Sequence, residues 1–195
     1  IKGSAINNEG EDEIHDRGLI VFDTYIFGNL EKQNTINIAF NSDESKHDGR
    51  VCQIILTDKN YLILNVHFPR IETIEEIKMI EQKINKELHS WNIKTESLKI
   101  IMLGDFNDSN TLLHKNNPFI LFIGNKQFPL HNNMTKEAIQ LSLKSCCWHK
   151  KNNTNNLGHY KIPGDYIFQW PVPQKNELYE NEKFMSDHKA VITLI

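Results

Sequence analysis

"IIMLGDFNDSN" occupies residues 100–110 and changes character half-way. Ile100 to Gly104 read as a strand. At Asp105 the chain turns polar and presents a carboxylate and, at Asn107, a carboxamide. Gly, Asp and Asn are ordinary turn residues, so a strand followed by a plain turn is one reading. The other is a functional site at the C-terminal end of a buried strand, where a loop carries chemistry on a rigid scaffold. The slightly longer run "LKIIMLG" (98–104) is short and continuously apolar, as expected of a strand covered on both faces.

The sequence around this strand predicts a β-rich α/β arrangement. Apolar, β-branched runs at "GLIVFDTYIF" (18–27), "INIAF" (36–40), "VCQIILT" (51–57) and "YLILNVHF" (61–68) read as strands, with "TDKN" as a hairpin turn between the last two. A helix follows. Thr73 with Glu76 three residues on is a capping-box pattern, and Ile74, Ile77, Ile80, Ile84, Leu88 and Trp91 recur at helical spacing. Its apolar stripe should cover one face of a sheet. "TLLHKNNPFILF" holds a short helix; "AIQLSLKSCCWH" (138–149), "DYIFQW" (165–170) and "HKAVITLI" (188–195) read as strands, and "KKNNTNNLGHYK" (150–161) as a mobile loop. Residues 1–18 are polar and acidic, a terminus or loop. With no repeat and no linker, 1–195 is expected to be a single domain.

Bulk properties narrow the class. A chain of 195 residues, 39% hydrophobic and 24% charged, can bury a sizeable core and is not disordered. No apolar run approaches the roughly 20 residues of a membrane span. The net charge of −3 argues against a chain coated in nucleic acid but leaves room for a local basic groove. Lys outnumbers Arg 19 to 3, a coding bias more than a chemical signal. Cys52, Cys146 and Cys147 form neither a disulfide framework nor a Cys-x-x-Cys zinc site. Together with the glycosylation pattern Asn107-Asp108-Ser109, which would block the suspect loop, they favour an intracellular location, cytoplasmic or nuclear.

Four polar clusters stand at strand ends: Asn65 and His67 in "LNVHFPR", Asp105 and Asn107 in "LGDFND", Asp165 in "IPGDYIF", and Asp187 with His188 in "MSDHKAV". Each alone is weak, since a lone His is usually a satisfied surface or core residue and Asp-x-Asn is usually a turn. Together they supply two histidines, three carboxylates and two carboxamides. That set suits phosphoester hydrolysis. The anionic phosphoryl centre repels hydroxide, so the reaction calls for a hard cation on carboxylate and amide oxygens. It also calls for a group to orient or deprotonate water, and for donors to the phosphoryl oxygens.

In this order, "LNVHFPR", "IMLGDFND", "PGDYIF" and "MSDHKAVI" resemble the later motifs of the endonuclease/exonuclease/phosphatase superfamily, over roughly residues 18–195. The resemblance implies a deoxyribonuclease I-like fold: α/β (α+β), two packed, mainly antiparallel sheets flanked by helices. It also implies a phosphoric ester hydrolase dependent on Mg²⁺ or Mn²⁺. Asp105 would orient or deprotonate the attacking water. Asn107 would bind the phosphate or a metal-bound water, and Asp187, with Asp105 and Asn107, would make up the metal site. His188 would hold the scissile phosphate and be oriented by Asp165, which is within reach if their strands are neighbours in one sheet. His67 would stand near the phosphate and leaving group, with Asn65 beside it.

The family's N-terminal Asn and metal-binding Glu have no clear counterpart in residues 1–18, where Glu9, Glu11 and Glu13 are candidates by composition only. The chain is therefore expected to lack the first part of the fold. A non-catalytic binding or structural module that keeps the fold is the alternative reading. Lys144, Lys150 and Lys151 near Trp148 could grip a nucleic-acid backbone and stack a base. Nucleic acid is accordingly favoured as substrate over a phosphoinositide or phospholipid head group.

Overall fold

The computed structural model describes residues 5–6, 12–13, 23–38, 50–108, 112–115, 119–132, 146–150, 157–162, 164–172, 176–179 and 190–193, with side chains at 23–38, 50–108, 112–113, 119–132 and 164–172. In chain order its elements begin with β1 (Ala5–Ile6), β2 (Asp12–Glu13), α1 (Thr24–Phe27), β3 (Leu30–Asn37), β4 (Val51–Thr57), β5 (Tyr61–His67), α2 (Ile74–Leu88) and β6 (Lys99–Asp105). They continue with α3 (Leu112–Lys115), β7 (Ile120–Ile123), β8 (Lys126–Pro129), β9 (Cys146–Lys150), β10 (Leu157–Ile162), β11 (Asp165–Trp170), β12 (Asn176–Tyr179) and β13 (Ala190–Thr193).

A five-stranded sheet in the order β11–β6–β5–β4–β3 forms the scaffold. β4 and β5 make the expected hairpin, closed where Asn60 takes the left-handed conformation at φ 62° that Asn tolerates. β5 and β6 run parallel, which requires a crossover, and α2 supplies it. Every other pairing in this sheet is antiparallel, as are the two-stranded pairs β1–β2, β7–β8, β9–β10 and β12–β13. This is the mainly antiparallel α/β class the sequence implied. Among the described residues, no helix is long and apolar enough to cross a membrane.

Strand alternation sorts the core into two sides. Cys52, Ile54, Leu62, Leu64, Ile100, Met102 and Phe168 face α2, whose Ile77, Ile80, Ile84 and Leu88 are buried against them. Burying each such side chain contributes about 1.5–3 kcal/mol, so the stripe and not helix propensity holds α2 in place. Its start is fixed by the capping box: Glu76 N donates to Thr73 Oγ1 at 3.2 Å, and Thr73 N donates to Glu76 Oε2 at 2.9 Å. The other side of the sheet buries Ile55, Tyr61, Ile63, Ile101 and Ile167. α2 also satisfies the backbone of β7: Ile120 N donates to Glu81 Oε2 at 2.7 Å, Asn85 Nδ2 donates to the Ile120 carbonyl at 3.0 Å, and Phe122 N donates to Asn85 Oδ1 at 2.8 Å.

Several expectations are corrected. Of the run at 18–27, residues 18–22 lie outside the described residues and 24–27 form α1, not strand, because the Asp23 carboxylate accepts from Tyr25 N at 2.7 Å and Gly28 ends the turn at φ 89°. Local capping overrides the β-branched pattern there. β3 starts at Leu30, earlier than "INIAF" suggested, since pairing with β4 recruits Leu30 and the polar residues 31–35. "TLLHKNNPFILF" holds the expected short helix, α3, but its end also starts strand β7, which opens a hairpin turned at Gly124, φ 57°. Leu157–Tyr160 and the following Lys161, read as loop, belong to β10, which β9 pairs. β6 extends one residue further than "LKIIMLG", so Asp105 closes the strand and is not a loop residue.

Candidate active site

Register carries three polar strand ends to one place. His67 is the partner of Asp105 across the parallel β5–β6 ladder, and Asp105 is the partner of Asp165 across the antiparallel β6–β11 ladder. All three alternate with residues that face α2, so they emerge together on the opposite side of the sheet. His67 Nε2 lies 3.8 Å from Asp105 Oδ2, with the side chains 40% and 18% exposed, so the pair is open to solvent on the histidine side. Two carboxylates directly opposite one another repel unless positive charge lies close. Part of that charge is Arg50, one residue before β4, whose guanidinium contacts His67 Nε2 and donates from Nη1 to the Phe68 carbonyl at 3.4 Å.

The loops leaving β5 and β6 are stitched together beyond the ladder. Phe68 N donates to the Asp105 carbonyl, and Ile71 N to the Asn107 carbonyl, each at 2.9 Å. Asn107 adopts φ 48°. Its backbone N–H donates to Asp105 Oδ1 at 2.8 Å, and its Nδ2 donates to the Phe68 carbonyl at 2.7 Å. One amide hydrogen of Asn107 is thus engaged in fixing the loop, and its Oδ1 is the atom suited to a cation or water. Behind the loop, Phe68, Phe106, Phe119, Tyr166 and Phe168 pack ring to ring at centroid distances of 5.2–6.1 Å, which fixes the backbone that presents the polar tips.

The Gly before Asp105 has a steric cause. Gly104 sits at φ 133°, and a Cβ there would lie 2.0 Å from the Val66 carbonyl oxygen. A glycine therefore allows β5 and β6 to approach at the step just before His67 and Asp105.

Among the described residues, no group of three His, Cys, Asp or Glu side chains is close enough to hold a metal ion. The donors present are nevertheless of the right kind: facing carboxylates at Asp105 and Asp165 and the carboxamide oxygen of Asn107 are the hard oxygens that Mg²⁺ and Mn²⁺ take. Asp187 and His188 lie outside the described residues, as does Lys151. Asn65 shares the face of His67 but stands one step deeper, half-buried between Gln53 and Leu103. Trp148 and Lys150 are in β9, paired with His159 and Leu157. Among the described residues, the strand of Asp165, β11, pairs with β6, and the strand that follows His188, β13, pairs with β12 and touches β11.

Two residues escaped the sequence reading. Arg50 could have been found as a rare Arg in a Lys-rich chain, placed just before the strand that pairs with the one bearing His67. Asp108 entered the sequence reading only as the middle of the pattern Asn107-Asp108-Ser109. It is fully buried, and its carboxylate accepts from Leu112 N at 3.0 Å, Leu113 N at 2.9 Å and the Tyr166 hydroxyl at 3.0 Å.

Solved structures similar to this one include an endonuclease/exonuclease/phosphatase family protein from Leptotrichia buccalis, at 14% sequence identity and a TM-score of 0.49 over 85% of this chain. Truncated Caenorhabditis elegans TDP2 is also similar, at 15% identity and a TM-score of 0.42 over 84% of this chain. The chain spans under two thirds of either structure, 61% and 64% of their lengths. No family model matches the sequence, and no curated protein matches it. The likeness concerns fold alone.

Proposed function

We propose that this protein is a phosphoric ester hydrolase dependent on Mg²⁺ or Mn²⁺ that cleaves phosphodiester or phosphomonoester bonds, with nucleic acid as the favoured substrate. The observation that carries this reading is the register row His67–Asp105–Asp165, which gathers two carboxylates and an imidazole on three adjacent strands at one end of the sheet.

Each member has work suited to its chemistry. Asp105 is held by the Asn107 N–H through Oδ1, and its Oδ2, beside His67 Nε2, would take a proton from, or orient, the attacking water. Arg50 and His67 are the donors for phosphoryl oxygens, the guanidinium because its planar fork of N–H groups matches their geometry. Asp165 orients His188, and His188 donates to the scissile phosphate. Asn107 Oδ1, Asp105 and Asp187 would hold the cation, which supplies charge neutralisation at the phosphoryl oxygens and activation of water. The basic and aromatic residues at 144–151 support a nucleic-acid backbone as the ligand that extends beyond the reacting group.

The test is a substrate panel of single-stranded and duplex DNA, RNA, an inositol polyphosphate and bis(p-nitrophenyl) phosphate, each with Mg²⁺, Mn²⁺ or excess chelator. Hydrolysis of at least one substrate that stops in chelator is expected. Binding of nucleic acid with no hydrolysis under either cation would replace this reading with the non-catalytic module.

A further inference from the structure

We infer that Tyr166, acting through Asp108, is a positioning residue for Asp105 and Asn107. The catalytic consequence rests on the phosphoesterase reading; the effect on the loop rests on geometry alone.

A buried carboxylate is costly unless donors surround it, and charge-assisted bonds are the strong ones. Among the described residues Asp108 has three: the N–H groups of Leu112 and Leu113 and the Tyr166 hydroxyl. Tyr166 is 1% exposed, and its ring packs edge-on to Phe106 with centroids 5.5 Å apart. Burial, reinforced by Asp108, pushes its hydroxyl far above the ordinary tyrosine range, so it remains a donor.

The placement of this clasp gives it a use. Tyr166 follows Asp165 in β11, so one strand end serves both sides of the sheet: Asp165 joins the polar row, and Tyr166 crosses the other side to Asp108. The loop from Asp105 to Asp108 is fixed at its start by the β6–β11 ladder and at its end by the clasp. Between them Asn107 is held in the left-handed region, which costs a non-glycine residue energy and persists only under constraint. That conformation aims the Asn107 N–H at Asp105 Oδ1 and its amide at the Phe68 carbonyl. The clasp therefore sets which oxygen of Asp105 faces the site.

Tyr166→Phe keeps the ring and its packing and leaves Asp108 the N–H donors of Leu112 and Leu113, so the fold should survive. Two measurements on the protein decide the matter. The first is NMR hydrogen exchange of the Asn107 backbone and side-chain N–H groups, referenced to the Ile54 and Leu64 amides. The second is kcat and KM for bis(p-nitrophenyl) phosphate with Mg²⁺. The variant should show Asn107 exchange at least about tenfold faster with Ile54 and Leu64 unchanged. kcat should fall about ten- to hundredfold, the range typical of losing an orienting partner, while KM stays within about twofold. Asp108→Asn, which keeps an acceptor oxygen, should give the same signature and covers the case of a misfolded Tyr166→Phe. Unchanged Asn107 exchange overturns the inference, whatever the activity does. Faster exchange with unchanged kcat overturns its catalytic half. If wild type hydrolyses nothing, the phosphoesterase reading fails, and the exchange result alone decides whether Tyr166 positions the loop.

Discussion

Replacing Gly104 by alanine should destabilise the protein sharply, because the new methyl has nowhere to go. Its Cβ would stand 2.0 Å from the Val66 carbonyl oxygen, and 3.0 Å from the carbonyl carbon. A relaxed carbon–oxygen contact is about 3.3–3.6 Å, so β5 and β6 must part locally by more than an ångström or the backbone must leave φ 133°. Forcing a non-glycine residue to hold that backbone region costs about 1–3 kcal/mol. Parting the ladder forfeits a hydrogen bond or two at about 1 kcal/mol each. The expected loss is therefore about 3 kcal/mol, which for a chain of this size lowers Tm by about 6–12 °C. Urea titration and a thermal melt followed by circular dichroism measure both. A variant that melts within about 2 °C of wild type would refute the close approach of β5 and β6, and with it the register that puts His67 beside Asp105.

Thr73→Ala removes one half of the capping box and should cost about 1 kcal/mol in a urea titration; no loss would mean the α2 terminus is held by packing alone. Asp165→Asn should slow hydrolysis about a hundredfold while leaving the thermal melt in place, on the scale of losing one electrostatic contact, and unchanged turnover would remove Asp165 from the site. Partial burial raises the Glu81 carboxyl above its ordinary range. A raised acid binds its proton more tightly in the folded state, so its contribution is full below the unfolded pKa and is lost as pH rises through the folded one. Glu81→Gln, which keeps an acceptor for Ile120 N, should gain on wild type in stability as pH goes from about 4 to about 7; parallel pH curves would contradict this.

The most legible parts of the fold were those governed by local pattern. β4 and β11 follow from short apolar runs, and α2 from helical spacing and a capping box, all local in sequence. α1 was misread because one Asp cap and one left-handed Gly outweigh a short β-branched run, and β10 because its polar residues owe their strand to pairing with β9. Within the site, Asp105, Asn107 and His67 were visible as polar tips on apolar strands. Arg50 and Asp108 were not, since what makes them matter is contact across 17 and 58 residues of chain, with His67 and with Tyr166. No pattern in a single strand records such a contact.

The most direct measurement is cleavage of a 5′-labelled single-stranded oligonucleotide in Mg²⁺ by wild type and Asp105→Asn, side by side, with a thermal melt on each. The substitution is near-isosteric and keeps an oxygen for the Asn107 N–H, so the fold should be retained. Wild type is expected to cleave and to stop in excess chelator, and the variant to fall by about a hundredfold or more at an unchanged Tm, the scale of losing a general base. Undiminished cleavage in chelator, or wild-type turnover by Asp105→Asn, would contradict a metal-dependent phosphoesterase built on the His67–Asp105–Asp165 row.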